Sequence, residues 1–325
     1  MKHLIRGMER QAFSAGAGWG RELHGRLYVR IQAEHILWIV AVLPGLLSNR
    51  MKNNPLRILL LGHRDIASNV ALSLLVTAMP QHRHALMLSG PIASRSAPVP
   101  ALAELAAFEQ KLCEEIPGMT AGGDGGVLSF DTLAHRTGKD VRVLAEPNSR
   151  DGLALLADHA PDLVISVRYR RILKEAAIAI PKFGVLNLHS GLLPEYKGMM
   201  ATFWAMLNNE ATIGSTLHYI VDGTIDTGPV VGRMAIPVDR TRSYLANVLS
   251  LYPAGCEMVI ETVRRIERRE PIACRQQAAA GSYYSAPERD DILRFQDAGL
   301  RLFDGNELQQ FLRDKGVTYA SAPDD

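Results

Sequence analysis

From residue 56 onward, short apolar runs alternate with stretches of helical spacing. Residues 57–61 and 84–88 read as strands buried on both faces. Between them the spacing predicts a helix over 65–78, with Asp65 placed to cap it. Residues 89–100 are rich in Ser and Pro and read as a loop, and a helix over 101–116 ends at Pro117-Gly118. After a Gly-rich connection at 121–126, strands are expected over 140–145, 162–167 and 184–189, with a helix over 149–159. This alternation predicts an α/β protein with a Rossmann-like, doubly wound, mostly parallel sheet. Strands over 215–221 and 229–236 lie close together, so the sheet is expected to be mixed there. A long helix over 241–269 and a shorter one near 306–315 complete the pattern.

The first fifty residues read differently. Their longest apolar run, 36–47, is shorter than the roughly 20 residues a bilayer crossing needs, and it contains Pro44. Glu34 and His35 precede the run and no small-residue cleavage pattern follows it, so secretion is not supported. Met51-Lys52-Asn53-Asn54-Pro55, followed at once by an apolar strand, is how a cytoplasmic α/β protein opens. The expected organisation is an N-terminal extension over 1–50, expected to lie upstream of the native start, then a core domain over 51–270. A helical and loop addition over 271–325 follows.

With 47% hydrophobic and 22% charged residues, a disordered chain, a collagen-like fibre and a coiled coil are excluded. The 36 basic against 34 acidic residues give no electrostatic reason to expect a nucleic acid as partner, nor a stable membrane association. Cys113, Cys256 and Cys274 are scattered and read as thiols of a reducing cytoplasm, without disulfide or zinc spacing. Neither 122–126 nor Gly62-His63-Arg64-Asp65 has the glycine spacing of a phosphate or dinucleotide loop, which disfavours an NAD-dependent enzyme. The basic run 264–269 near a helix C-terminus suits the dipole and a solvated face.

Residues 162–228 carry the chemistry. Strand alternation puts Asn187 and His189 on one face, with Leu186 and Leu188 on the other. Burying such polar groups is unfavourable unless they are satisfied, and the end of a strand feeding a loop is where α/β sheets place ligands. With Asp226 they supply an amide donor, a titratable imidazole and a carboxylate.

The motif N-x-H at 187–189, then Leu192-Leu193-Pro194-Glu195-Tyr196-Lys197-Gly198, then Asp226-Thr227-Gly228, resembles the signature of the folate-dependent formyltransferases. That family includes the glycinamide ribonucleotide, methionyl-tRNA and amino-sugar formyltransferases. The resemblance covers residues 56 to about 270 and is strongest over 162–228. It implies the formyltransferase fold for 51–270 and N10-formyltetrahydrofolate as formyl donor, with no metal. Asn187 would donate to the formyl oxygen as it becomes an oxyanion. His189 would stabilise the same oxyanion, and Asp226 would hold His189 and accept the amine proton. Tyr169, Arg170, Arg171, Ile172 and Leu173 resemble the family's pterin-binding loop, and Asp222, Gly223, Thr224 and Ile225 the second loop around the pterin.

The acceptor is expected to be a small amine or hydroxylamine. The C-terminal β-barrel of the tRNA enzyme, the N-terminal regulatory domain of formyltetrahydrofolate hydrolase and the Gly/Ser-rich phosphate loop of the purine enzyme are not legible. The chain is most similar to the branch that formylates N5-hydroxyornithine in pyoverdine siderophore biosynthesis. A nucleotide-linked amino sugar is the competing acceptor, and a non-catalytic folate-binding module is the alternative of another class. A hydroxylamine is already neutral where an alkylamine, with a pKa of about 10, must first lose a proton. Tyr283 and Tyr284 read as packing aromatics, while Phe203 and Trp204 fit either substrate contact or the packing of an amphipathic helix.

Overall fold

The computed structural model describes residues 17–23, 26–33, 35–42, 55–91, 99–116, 120–121, 126–278, 280–314 and 317–318. The strands are β1 (Ala17–Leu23), β2 (Arg26–Ala33), β3 (His35–Val42), β4 (Arg57–Gly62), β5 (Arg83–Leu88), β6 (Thr120–Ala121), β7 (Arg142–Val143) and β8 (Leu163–Val167). They continue with β9 (Val185–His189), β10 (Tyr196–Gly198), β11 (Thr212–Ile220), β12 (Val230–Pro237), β13 (Ile272–Arg275), β14 (Ser282–Tyr284) and β15 (Val317–Thr318). The helices are α1 (Ile66–Ala78), α2 (Pro100–Glu115), α3 (Phe130–Thr137), α4 (Arg150–Asp158), α5 (Glu175–Ile178), α6 (Ala201–Leu207), α7 (Tyr244–Glu267), α8 (Arg289–Asp297) and α9 (Gly305–Asp314).

One sheet organises the molecule, in the order β1-β2-β3-β13-β12-β11-β9-β8-β4-β5-β7. From β7 to β9 every pairing is parallel, and from β9 to β1 every pairing is antiparallel. The parallel strands β4, β5, β8 and β9 are buried over most of their length because helices cover both faces. In β4, Ile58 and Leu60 pack into the larger core with α1 and α7, while Leu59 and Leu61 pack into a second core with α4 and α5. Caps set where helices begin: Asp65 accepts from Ser68 N at 2.7 Å, and Ser243 accepts from Ala246 N at 3.3 Å. Among the described residues no helix is long and apolar enough to cross a membrane.

The strands and helices expected between 57 and 269 are present, with several differences. Residues 140–145 shrink to the two-residue β7, whose side chains are exposed. The α3 helix was not expected, because only Phe130 and Leu133 of its eight residues are buried. Residues 17–42 supply three antiparallel strands, and β3 joins the sheet along β13. Of the expected loops, 92–98 and 122–125 lie outside the described residues, as do 51–54 at the opening of the core domain. The C-terminal helices share the main core: Phe295 stacks on Phe203 with ring centroids 4.4 Å apart, and Leu308 and Leu312 are fully buried.

Candidate active site

The site forms where the sheet changes from parallel to antiparallel. Strand β9 runs between β8, parallel to it, and β11, antiparallel to it, and ends at His189. Such a switch at a strand's carboxyl end opens a crevice. The β9–β11 register sets His218 opposite Asn187 and Thr216 opposite His189. The loop after β9 then folds back on itself. Thr216 Oγ1 donates to Gly191 O at 2.7 Å and accepts from Leu193 N at 3.1 Å, while Thr202 Oγ1 donates to Ser190 O. This fold returns Tyr196 O to within 2.7 Å of His189 Nε2 and aims Gly198 N–H at Asp226.

Asp226 lies in the connection from β11 to β12 with φ of 54°, in the left-handed region. Its Oδ2 accepts from Gly198 N at 2.8 Å and lies 3.5 Å from His189 Nδ1. Its Oδ1 lies 3.4 Å from His218 Nε2 and 3.5 Å from Asn187 Nδ2. Asn187 Nδ2 also stands 3.1 Å from His218 Nε2. His218 Nδ1 faces Tyr219 O at 3.0 Å, while its Nε2 faces both the Asn187 amide and Asp226 Oδ1. Both nitrogens of His189 face oxygens, Tyr196 O at 2.7 Å and Asp226 Oδ2 at 3.5 Å.

Burial by itself would raise the Asp226 carboxyl. The facing imidazoles of His189 and His218 and the Gly198 N–H outweigh burial and hold it well below the usual carboxylate range. The arrangement therefore offers a fixed anion and an amide donor, with an imidazole clamped between two oxygens. Among the described residues no group of His, Cys, Asp and Glu is placed to hold a metal.

Residues 140–248 match the Formyl transferase family. The methionyl-tRNA formyltransferase of Synechococcus sp. (strain JA-3-3Ab) is 30% identical over 140 residues, 43% of this chain and 43% of that protein. The methionyl-tRNA formyltransferase of Aromatoleum aromaticum is 32% identical over 154 residues, 46% of this chain and 47% of that protein. The chain thus spans a little under half the length of these relatives. Among solved structures, glycinamide ribonucleotide transformylase 1 from Symbiobacterium toebii aligns over 71% of this chain and 99% of that chain, at 18% identity and a TM-score of 0.48.

Within the matched stretch, the two loops expected around the pterin lie side by side. A Cβ on Gly223 would lie 3.9 Å from both Ile172 Cγ2 and Lys174 Cγ. Ile172 and Ile225 are exposed, and Leu173 is buried in the second core. Tyr169 is turned away from solvent, its hydroxyl donating to Leu144 O at 2.6 Å. Arg170 reaches Asp65 at 3.3 Å, and Arg171 donates to Pro91 O at 2.6 Å. In the second loop Asp222 Oδ1 accepts from Thr224 N at 2.8 Å and from the Thr224 hydroxyl, which also meets the Thr227 hydroxyl. Of the two loops, Arg170, Ile172, Thr224 and Ile225 are exposed and Gly223 is half-buried.

Arg168, at the entry to the first loop, has φ of 55° and is held by acidic partners: Nε donates to Asp65 at 3.0 Å and NH2 to Glu109 at 3.2 Å. Burial raises the Glu109 carboxyl to about 7, and the Asp65 charge adds to the effect while Arg168 opposes it. The sequence reading did not assign His218 to the site, since strand alternation alone does not show which residue faces Asn187 across the sheet. Gln277 was also unassigned: it lies beyond the formyl transferase domain and in no motif, yet its amide reaches the Asp226 backbone.

Proposed function

We propose that this protein transfers a formyl group from N10-formyltetrahydrofolate to the nitrogen of a small amine, and that the amine is the side-chain nitrogen of N5-hydroxyornithine. The observation that carries the reading is the convergence of the Asn187 amide, the His189 imidazole and the Asp226 carboxylate within the formyl transferase domain. In this reading the pterin lies against Ile172, Gly223 and Ile225. The loop residues Tyr169, Arg170, Arg171 and Leu173 and the turn residues Asp222 and Thr224 hold those surfaces in place.

As the acceptor nitrogen attacks the formyl carbon, negative charge develops on the formyl oxygen. One N–H of Asn187 is directed at Asp226 and His218, and the other meets the developing oxyanion, an interaction worth about 2.7–4 kcal/mol in comparable sites. Both His189 nitrogens are engaged, which fixes the ring beside the developing oxyanion that it stabilises, and Asp226 holds the ring there. A carboxylate held so firmly ionised is a weak base, and it accepts the nitrogen's proton only after attack has made that proton acidic. The proton then passes to the departing N10 of the folate. A neutral hydroxylamine suits this division of labour, because it reaches the site already deprotonated.

The test is release of tetrahydrofolate from N10-formyltetrahydrofolate by the full chain, with N5-hydroxyornithine compared with amino-sugar nucleotides. Release that depends on N5-hydroxyornithine is expected. Preference for an amino-sugar nucleotide would reassign the acceptor, and no release with any amine would overturn formyl transfer itself.

A further inference from the structure

Of the groups in this site, Asp226 has the backbone that most needs outside support. A left-handed φ persists at a non-glycine residue only where the surroundings over-determine it. Here much of that support comes from one side chain. Gln277 Nε2 donates to Asp226 O at 2.9 Å and to Gly228 O at 2.8 Å, bridging the two ends of the turn. The Gln277 Oε1 atom is buried with no partner among the described residues. Leaving an acceptor unmet is unfavourable, so what this amide contributes lies in its donors.

The same C-terminal stretch also reaches the carboxylate end of Asp226. Strand β14 pairs in parallel with β10, and Met199 N donates to Tyr284 O at 2.8 Å. Strand β10 ends at Gly198, whose N–H holds Asp226 Oδ2. Gly198 has φ of 95°, and a Cβ there would run into the Tyr284 carbonyl, so the two strands approach as closely as glycine permits. The turn and the carboxylate are therefore both braced by residues 277–284, outside the domain that carries the chemistry.

We propose that Gln277 is a positioning residue for Asp226, its amide locking the 226–228 turn so that the carboxylate stays between His189, His218 and Gly198. This rests on the formyl transfer reading for its effect on rate, though not for its effect on the turn. A catalytic unit ended at residue 270 would lack this lock.

The experiment compares the full chain with Gln277→Leu and Gln277→Glu, which remove the donors while keeping similar size. Turnover and hydrogen–deuterium exchange are both measured. In each variant kcat should fall about tenfold or more, with KM for donor and acceptor changing by less than about twofold. Exchange should rise in peptides covering 222–229 and stay unchanged in the β8 strand. A kcat within about twofold of the parent in both variants would overturn the proposal, as would exchange rising equally across the sheet. An inactive parent whose 222–229 exchange still rises in the variants would support the lock while removing the proposed function.

Discussion

The backbone of Gly191 runs so close to His189 that a Cβ there would stand 2.6 Å from Nε2. It would also meet Ala201 Cβ at 2.5 Å and Tyr196 O at 2.9 Å, so the ring has no way to yield except by leaving its acceptors. Gly191→Ala should cost about 1–3 kcal/mol of stability through overpacking. It should also lower formyl transfer about a hundredfold, the penalty of a displaced reacting group. Thermal unfolding and steady-state rates on the same sample check both.

Asn187→Ala removes the amide proposed to meet the formyl oxygen and takes that group away from His218 Nε2 and Asp226 Oδ1. The expected loss is about 10²–10³ in kcat, with the chain still folded. Single-turnover formyl transfer with saturating donor measures it, and a loss confined to KM would assign Asn187 to binding.

Asp226 has a pH signature of its own. Its folded carboxyl is depressed, so its ionisation stabilises the fold above the unfolded pKa of about 3.9. That contribution is lost as pH falls through the folded value. The Tm difference between the parent and Asp226→Asn should be constant from about pH 8 to about pH 5 and shrink below about pH 4. A difference that changes near neutrality would place the titration elsewhere.

Glu109 behaves in the opposite sense. Unfolded, it releases its proton near its ordinary 4.5, while in the folded protein burial holds the proton to about 7. Between those values folding takes up a proton, so stability falls as pH rises. Glu109→Gln should flatten a Tm scan between about pH 5 and about pH 8 and be more stable than the parent at the upper end.

Much of the fold was legible because the parallel strands are buried on both faces and helix starts carry capping side chains, as at Asp65. The candidate site was legible where its members share one strand and the loops around it, as Asn187, His189 and Asp226 do. What stayed hidden depends on pairing across distance. His218 joins the site through the register of β11 against β9, and Gln277 through a return of the chain after β13. The β10–β14 pair is three residues long and parallel, too short for alternation to announce it. Of the β1–β3 region only an apolar run was read, with no strand boundaries, because partners set those boundaries.

The groups that fix Asp226 come from chain positions 28, 39 and 51 residues away, through Gly198, Asn187 and Gln277. Such contacts form only after the intervening loops have closed, so during refolding the site is completed late. Helical signal should therefore return before formyl transfer does. A partly folded chain then lacks the converged carboxylate, amide and imidazole on which the proposed transfer rests.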